Sequence, residues 1–77
     1  MIKQPDFGNL IRDLREITGL SQEKFAAKIG VSFATVNRWE KGHSNPSPLA
    51  IEKVHGMLKR MSEKGRELLK KYFSEQA

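Results

Sequence analysis

Apolar residues recur at three- and four-residue intervals along most of the chain, and glycine, serine and proline cut that pattern into short pieces. Phe7, Leu10, Ile11, Leu14 and Ile17 form one stripe, and Phe25, Ala26 and Ile29 a second. Val36 and Trp39 form a third, and Ile51, Val54, Leu58 and Met61 a fourth. This spacing, with no alternating stretch, predicts helices and no strands. The punctuation sets their ends. Asp6 behind Pro5 is the expected N-cap of the first helix, and Gly19 its stop. Ser21 and Ser32 sit where they cap the second and third helices, which Gly30 and Gly42 close. Ser47 before Pro48 opens the fourth, because proline at the first helical position gives up an N–H that has no helical partner. The fold class is therefore all-α, a compact bundle of four to five helices.

Beyond Met61 two arrangements compete. Ile51, Val54, Leu58, Met61, Gly65, Leu68 and Tyr72 keep an unbroken spacing that suits one long helix from residue 48 to about 74. Ser62 and Gly65 argue for a break, since glycine inside a helix costs roughly 1 kcal/mol relative to alanine. A break at Ser62–Gly65, followed by a fifth helix with Leu68, Leu69, Tyr72 and Phe73, is the expectation. These four either cover the core or meet a second subunit.

Size and composition remove other classes. A chain of 77 residues is expected to be one domain, with a core over about residues 7–61 and a C-terminal helix over 62–77 for packing or dimerisation. Such a chain buries only ~60% of its unfolded surface, too little for a large enzyme pocket. It has no cysteine, hence no disulfide and no thiolate metal site. Its two histidines, His43 and His55, lack the carboxylate company of a metal or catalytic centre. His55 flanks the fourth apolar stripe as a packing residue. No cofactor, metal or catalysis is expected. The absence of a long apolar run points to a cytoplasmic protein with no membrane partner.

The net charge is +5, which suits a polyanion. Residues 21–48 contribute +2 of it and residues 59–77 contribute +3, the remainder balancing. The C-terminal charges alternate with glutamates at helical spacing and form a solvated face.

The informative segment is helix, glycine-containing turn, helix over residues 21–41. Gly30 can take φ > 0 and so lets two helices cross steeply over a short connection. On a helical wheel, Val36, Trp39 and Glu40 of the third helix face the core, while Ala34, Asn37, Arg38 and Lys41 face away and Phe33 lies on the border. An exposed arginine can pair bidentately with guanine, an asparagine with adenine, and Phe33 and Ala34 can pack on thymine methyls. Helix N-termini at Ser21/Gln22 and Ser32 offer free N–H groups to phosphate. Ser21 and Ser32 are equally explained as plain caps. Glu40 is the anomaly, a carboxylate on the core side that needs a partner; Arg15, at the rim of the first stripe, is the candidate.

The run from Leu14 to Ala26 (LREITGLSQEKFA), then Gly30-Val31-Ser32, Thr35-Val36, Arg38-Trp39-Glu40 and Gly42, resembles the phage-repressor/Cro-like (xenobiotic-response-element) helix-turn-helix family over roughly residues 7–60. The resemblance implies a lambda-repressor-like fold in which helices two and three form the DNA-reading pair. It implies a transcriptional regulator acting at an operator, with double-stranded DNA as partner and a homodimer on two half-sites. By resemblance Phe33, Ala34, Asn37 and Arg38 read bases, while Gln22, Ser32, Thr35, Lys41, His43 and Asn45 hold phosphates. Arg15 and Glu40 form a structural ion pair. Two alternatives remain at this stage. One is an antitoxin- or controller-type regulator whose C-terminal helix binds a protein partner. The other is a basic module for protein or membrane surfaces.

Overall fold

The computed structural model describes residues 2–74. In chain order the helices are α1 (Asp6–Thr18), α2 (Gln22–Ile29), α3 (Phe33–Glu40), α4 (Pro48–Arg60) and α5 (Glu63–Phe73). Among the described residues there is no strand. Three starts are the expected serine caps. Ser21 Oγ accepts from Lys24 N–H, Ser32 Oγ from Thr35 N–H and Ser47 Oγ from Ala50 N–H, each at 3.1 Å. Each bond satisfies one N–H that the first turn leaves without a helical partner. Gly19 and Gly30 end α1 and α2 with φ of 74° and 79°, the left-handed region that favours glycine.

Two expectations about helix ends need correction, and one about Gly42 holds. Asp6 is not the N-cap of α1 but its first helical residue, where its charge suits the helix dipole. Gln4 supplies the capping acceptor instead, its Oε1 taking Gly8 N–H at 2.9 Å. Gly42 closes α3 as expected, one residue past the Lys41 C-cap, with φ 76° and its N–H donating to Trp39 O at 3.0 Å. The break between α4 and α5 falls at Met61 and Ser62, and Gly65 lies inside α5. Gly65 is there for contact: a Cβ at that position would stand 2.2 Å from Leu58 O and 2.6 Å from Met61 Cβ. The two helices approach closely because no side chain separates them.

One core joins all five helices. Phe7, Leu10, Ile11 and Leu14 of α1 pack with Phe25 and Ile29 of α2, Val36 and Trp39 of α3, Val54 and Leu58 of α4, and Leu68 and Leu69 of α5. Tyr72 and Phe73 are half-buried against it, so α5 covers the core. His55, placed by sequence as a packing residue, meets the Phe73 ring edge-on at 5.0 Å.

Asp13 of α1 tethers α5. Tyr72 Oη donates to Asp13 Oδ2 at 2.5 Å and Lys71 Nζ to the same oxygen at 3.1 Å. Partial burial pushes the Asp13 carboxyl up, but the Tyr72 and Lys71 hydrogen bonds and the ammonium charge outweigh it, so its pKa lies below the ordinary value. Burial, then the hydrogen bond to Asp13, pushes the Tyr72 hydroxyl up. Stability from ionised Asp13 is thus complete above about pH 4 and lost as pH falls through its lower folded value. Stability from neutral Tyr72 is complete below about pH 10 and lost as pH rises through its raised folded value. Asp13→Asn should cost at most about 1 kcal/mol at neutral pH, since the tether is partly solvated. The gap in melting temperature between wild type and variant should close on acidification below about pH 4; a gap independent of pH would count against the tether.

Candidate nucleic-acid interface

The third helix has two faces with opposite environments. Val36, Trp39 and Glu40 are buried, while Phe33, Ala34, Arg38 and Lys41 are exposed. Phe33 is 49% exposed, a large aromatic left on the surface of a small domain. Asn37 and Thr35 are half-buried at the borders. Packing explains the division. Trp39 meets the Phe7 ring edge-on, with centroids 5.0 Å apart, which seats the inner face of α3 on α1. The short Gly30–Ser32 connection packs α2 against α3.

The end of α3 is held by side chains from the N-terminal region. Arg15 Nε donates to Glu40 Oε2 at 2.7 Å and Arg15 Nη2 to Glu40 Oε1 at 3.0 Å, a bidentate pair. The Glu40 side chain is only 6% exposed. Its hydrogen bonds and charge raise the Arg15 pKa further, against the opposing effect of burial. The pairing inferred from the wheel is therefore present. Arg12, which sequence reasoning missed, joins it: its Nη2 donates to the Glu40 carbonyl, and its Nε lies 3.7 Å from Glu40 Oε1. The signal was two arginines spaced i, i+3 beside one apolar stripe. With two guanidiniums on one carboxylate, Glu40 sets no uncompensated negative charge beside the outer face.

The remaining candidates surround that face. Gln22, at the start of α2, reaches Asn37 at 3.5 Å, Nε2 to Oδ1, and so joins the N-terminus of α2 to the middle of α3. Ser32 and Thr35 share a hydroxyl–hydroxyl bond of 2.8 Å at the α3 N-terminus. His43 and Asn45 are exposed in the loop after α3, where the His43 N–H donates to Arg38 O at 2.9 Å. Asn45 Oδ1 accepts from Gln4 N–H at 3.3 Å. Gln4, also missed, occupies a non-periodic segment with no pattern to mark it. The whole arrangement presents hydrogen-bond donors and cations on the outer face of α3, beside the N-terminus of α2 and the loop after α3. Among the described residues, no group of three or more histidines and carboxylates is arranged to hold a metal ion. No helix there is long and apolar enough to cross a membrane.

A family model described as helix-turn-helix (HTH_3) matches residues 11–65, a span that takes in α2, α3, α4 and all the exposed α3 residues. Comparison with curated proteins and with solved structures gave no match.

Proposed function

The chain belongs to the Cro/C1-type helix-turn-helix (XRE) family of DNA-binding regulators, and from that premise we propose that it recognises a specific operator by laying α3 in the major groove. The observation that carries this is the pair of faces of α3: Ala34, Arg38 and Lys41 stand exposed while Trp39 and Glu40 lock the opposite face to α1. A helix so held presents a fixed set of donors to base edges. Arg38 is assigned to a bidentate contact with guanine and Asn37, oriented by Gln22, to a neighbouring base. Phe33 and Ala34 pack on thymine methyls. Gln22, Ser32, Thr35, Lys41, His43 and Asn45 hold phosphates, setting register without reading sequence. A symmetric dimer on two half-sites about 34 Å apart completes the reading.

Selection from a random duplex pool, followed by binding assays, tests the proposal. The selected site should be an inverted repeat, and affinity for it should fall steeply with salt. Arg38→Ala should lose about 1–3 kcal/mol of discrimination at one base pair of each half-site, roughly 5- to 150-fold. Lys41→Ala should weaken all sequences alike and lower the salt slope by about 1. If Arg38→Ala weakened every sequence equally, the base-reading role would be lost.

A further inference from the structure

Gln4 uses both side-chain donors and its side-chain oxygen to join three parts of the chain. Its Nε2 donates to Trp39 O, in the last turn of α3, and to Ser44 O, in the following loop, both at 2.8 Å. Its Oε1 takes the Gly8 N–H of α1 at 2.9 Å. Its own backbone N–H donates to Asn45 Oδ1 at 3.3 Å. Among the described residues, the long-range hydrogen bonds onto loop 42–45 come from Gln4; Gly42 and His43 bond only to nearby carbonyls of α3. Gly8 supplies an independent sign of a built joint. A Cβ there would stand 2.3 Å from Trp39 O and 3.2 Å from Gln4 Oε1, so the backbone of α1 lies against the end of α3 with room only for the glutamine.

We propose that Gln4 is a positioning residue for DNA binding, holding the phosphate-facing loop 42–45 in register with the reading helix. This rests on the operator-binding assignment above and adds to it a residue outside the family match, which begins at Ile11. Glutamine alone fits the joint: two donors and one acceptor are needed at this reach. Glutamate keeps the acceptor and loses both donors, and methionine keeps the length and loses all three. The benefit is preorganisation. A loop ordered before it meets the duplex does not lose that freedom on binding.

The test compares wild type, Gln4→Met and Gln4→Glu by fluorescence anisotropy on the selected duplex over a salt series, with amide hydrogen exchange of each free protein. Gln4→Met should raise Kd about 10-fold and lower the salt slope by about 1. The ranking of single-base-pair variants of the site should stay unchanged, because base-reading side chains are untouched. Exchange at residues 42–45 should quicken in both variants, while Gln4→Glu keeps the Gly8 amide protected. That exchange pattern is read without DNA, so repulsion between the glutamate and the phosphates does not enter it. A variant that loses thermal stability yet keeps the wild-type Kd, salt slope and loop exchange would overturn the proposal and leave Gln4 a plain structural residue. Wild type binding without sequence preference would instead overturn the operator assignment itself, so the two failures are separable.

Discussion

Replacing Arg15 with alanine should lower stability by about 3 kcal/mol, which for a chain of this size is a fall in melting temperature of roughly 12–24 °C. The loss comes from what is left behind. Glu40 is buried, with 6% of its side chain exposed, and without Arg15 it keeps only the looser approach of Arg12, 3.7 Å away. A buried carboxylate deprived of its bidentate partner is costly, whereas replacing both members together costs far less. The reverse substitution should be milder. Glu40→Gln leaves Arg15, whose side chain is 25% exposed, free to swing its head into water along its own stem. DNA affinity should fall with stability in Arg15→Ala, because the pair orients the end of α3. Thermal melts and anisotropy titrations on both variants check this. If Arg15→Ala weakened DNA binding at an unchanged melting temperature, Arg15 would be a direct contact and the structural assignment would be wrong.

That ion pair also marks how far local pattern reaches. The wheel put Glu40 among apolar residues, and a carboxylate there implies a cation nearby, so Arg15 was legible. Helix starts at Ser21, Ser32 and Ser47 were legible for the same reason: a cap acts on N–H groups two and three residues away. What failed were features set by distant chain. Gly65 resembled a helix breaker, because the three-four pattern does not show that Leu58 O of the preceding helix stands where its Cβ would go. Asp6 resembled a cap, because Gln4 reaches Gly8 N–H only after the chain turns back on α3 and its loop. The tether from Asp13 to Lys71 and Tyr72 joins residues far apart in sequence, and charges on solvated helix faces carry no label for such partners. Of the outer face of α3, Ala34, Arg38 and Lys41 were legible from periodicity and likeness to a known motif, whereas Asn37, placed on that face by the wheel, is half-buried, and Phe33, placed on the border, is exposed. The contact from Gln22 to Asn37 depended on the crossing of two helices.

Trp39→Ala is the second large effect, and its physics differs from that of Arg15→Ala. No charge is stranded; a cavity is opened. Trp39 is 3% exposed and Phe7 is fully buried, their rings edge-to-face at 5.0 Å. Truncating a buried tryptophan costs about 3–5 kcal/mol through lost burial and the void left behind. A chain of this length has a total stability of roughly 4–12 kcal/mol, so the variant should be marginal at 37 °C and open first where α3 meets α1. Trp39→Phe keeps an aromatic contact and should recover part of the loss. A double-mutant cycle of Trp39→Leu with Phe7→Leu, read by chemical denaturation, should give a coupling of about 0.5–1.5 kcal/mol for the ring pair. Added operator DNA should raise the melting temperature of Trp39→Ala, because a ligand that binds only the folded chain stabilises it by mass action. Zero coupling between positions 7 and 39 would show that the rings fill space without favouring each other. Failure of DNA to rescue a partly folded Trp39→Ala would show more: that the seat of α3 on α1, and not merely the folded fraction, sets the geometry the duplex needs.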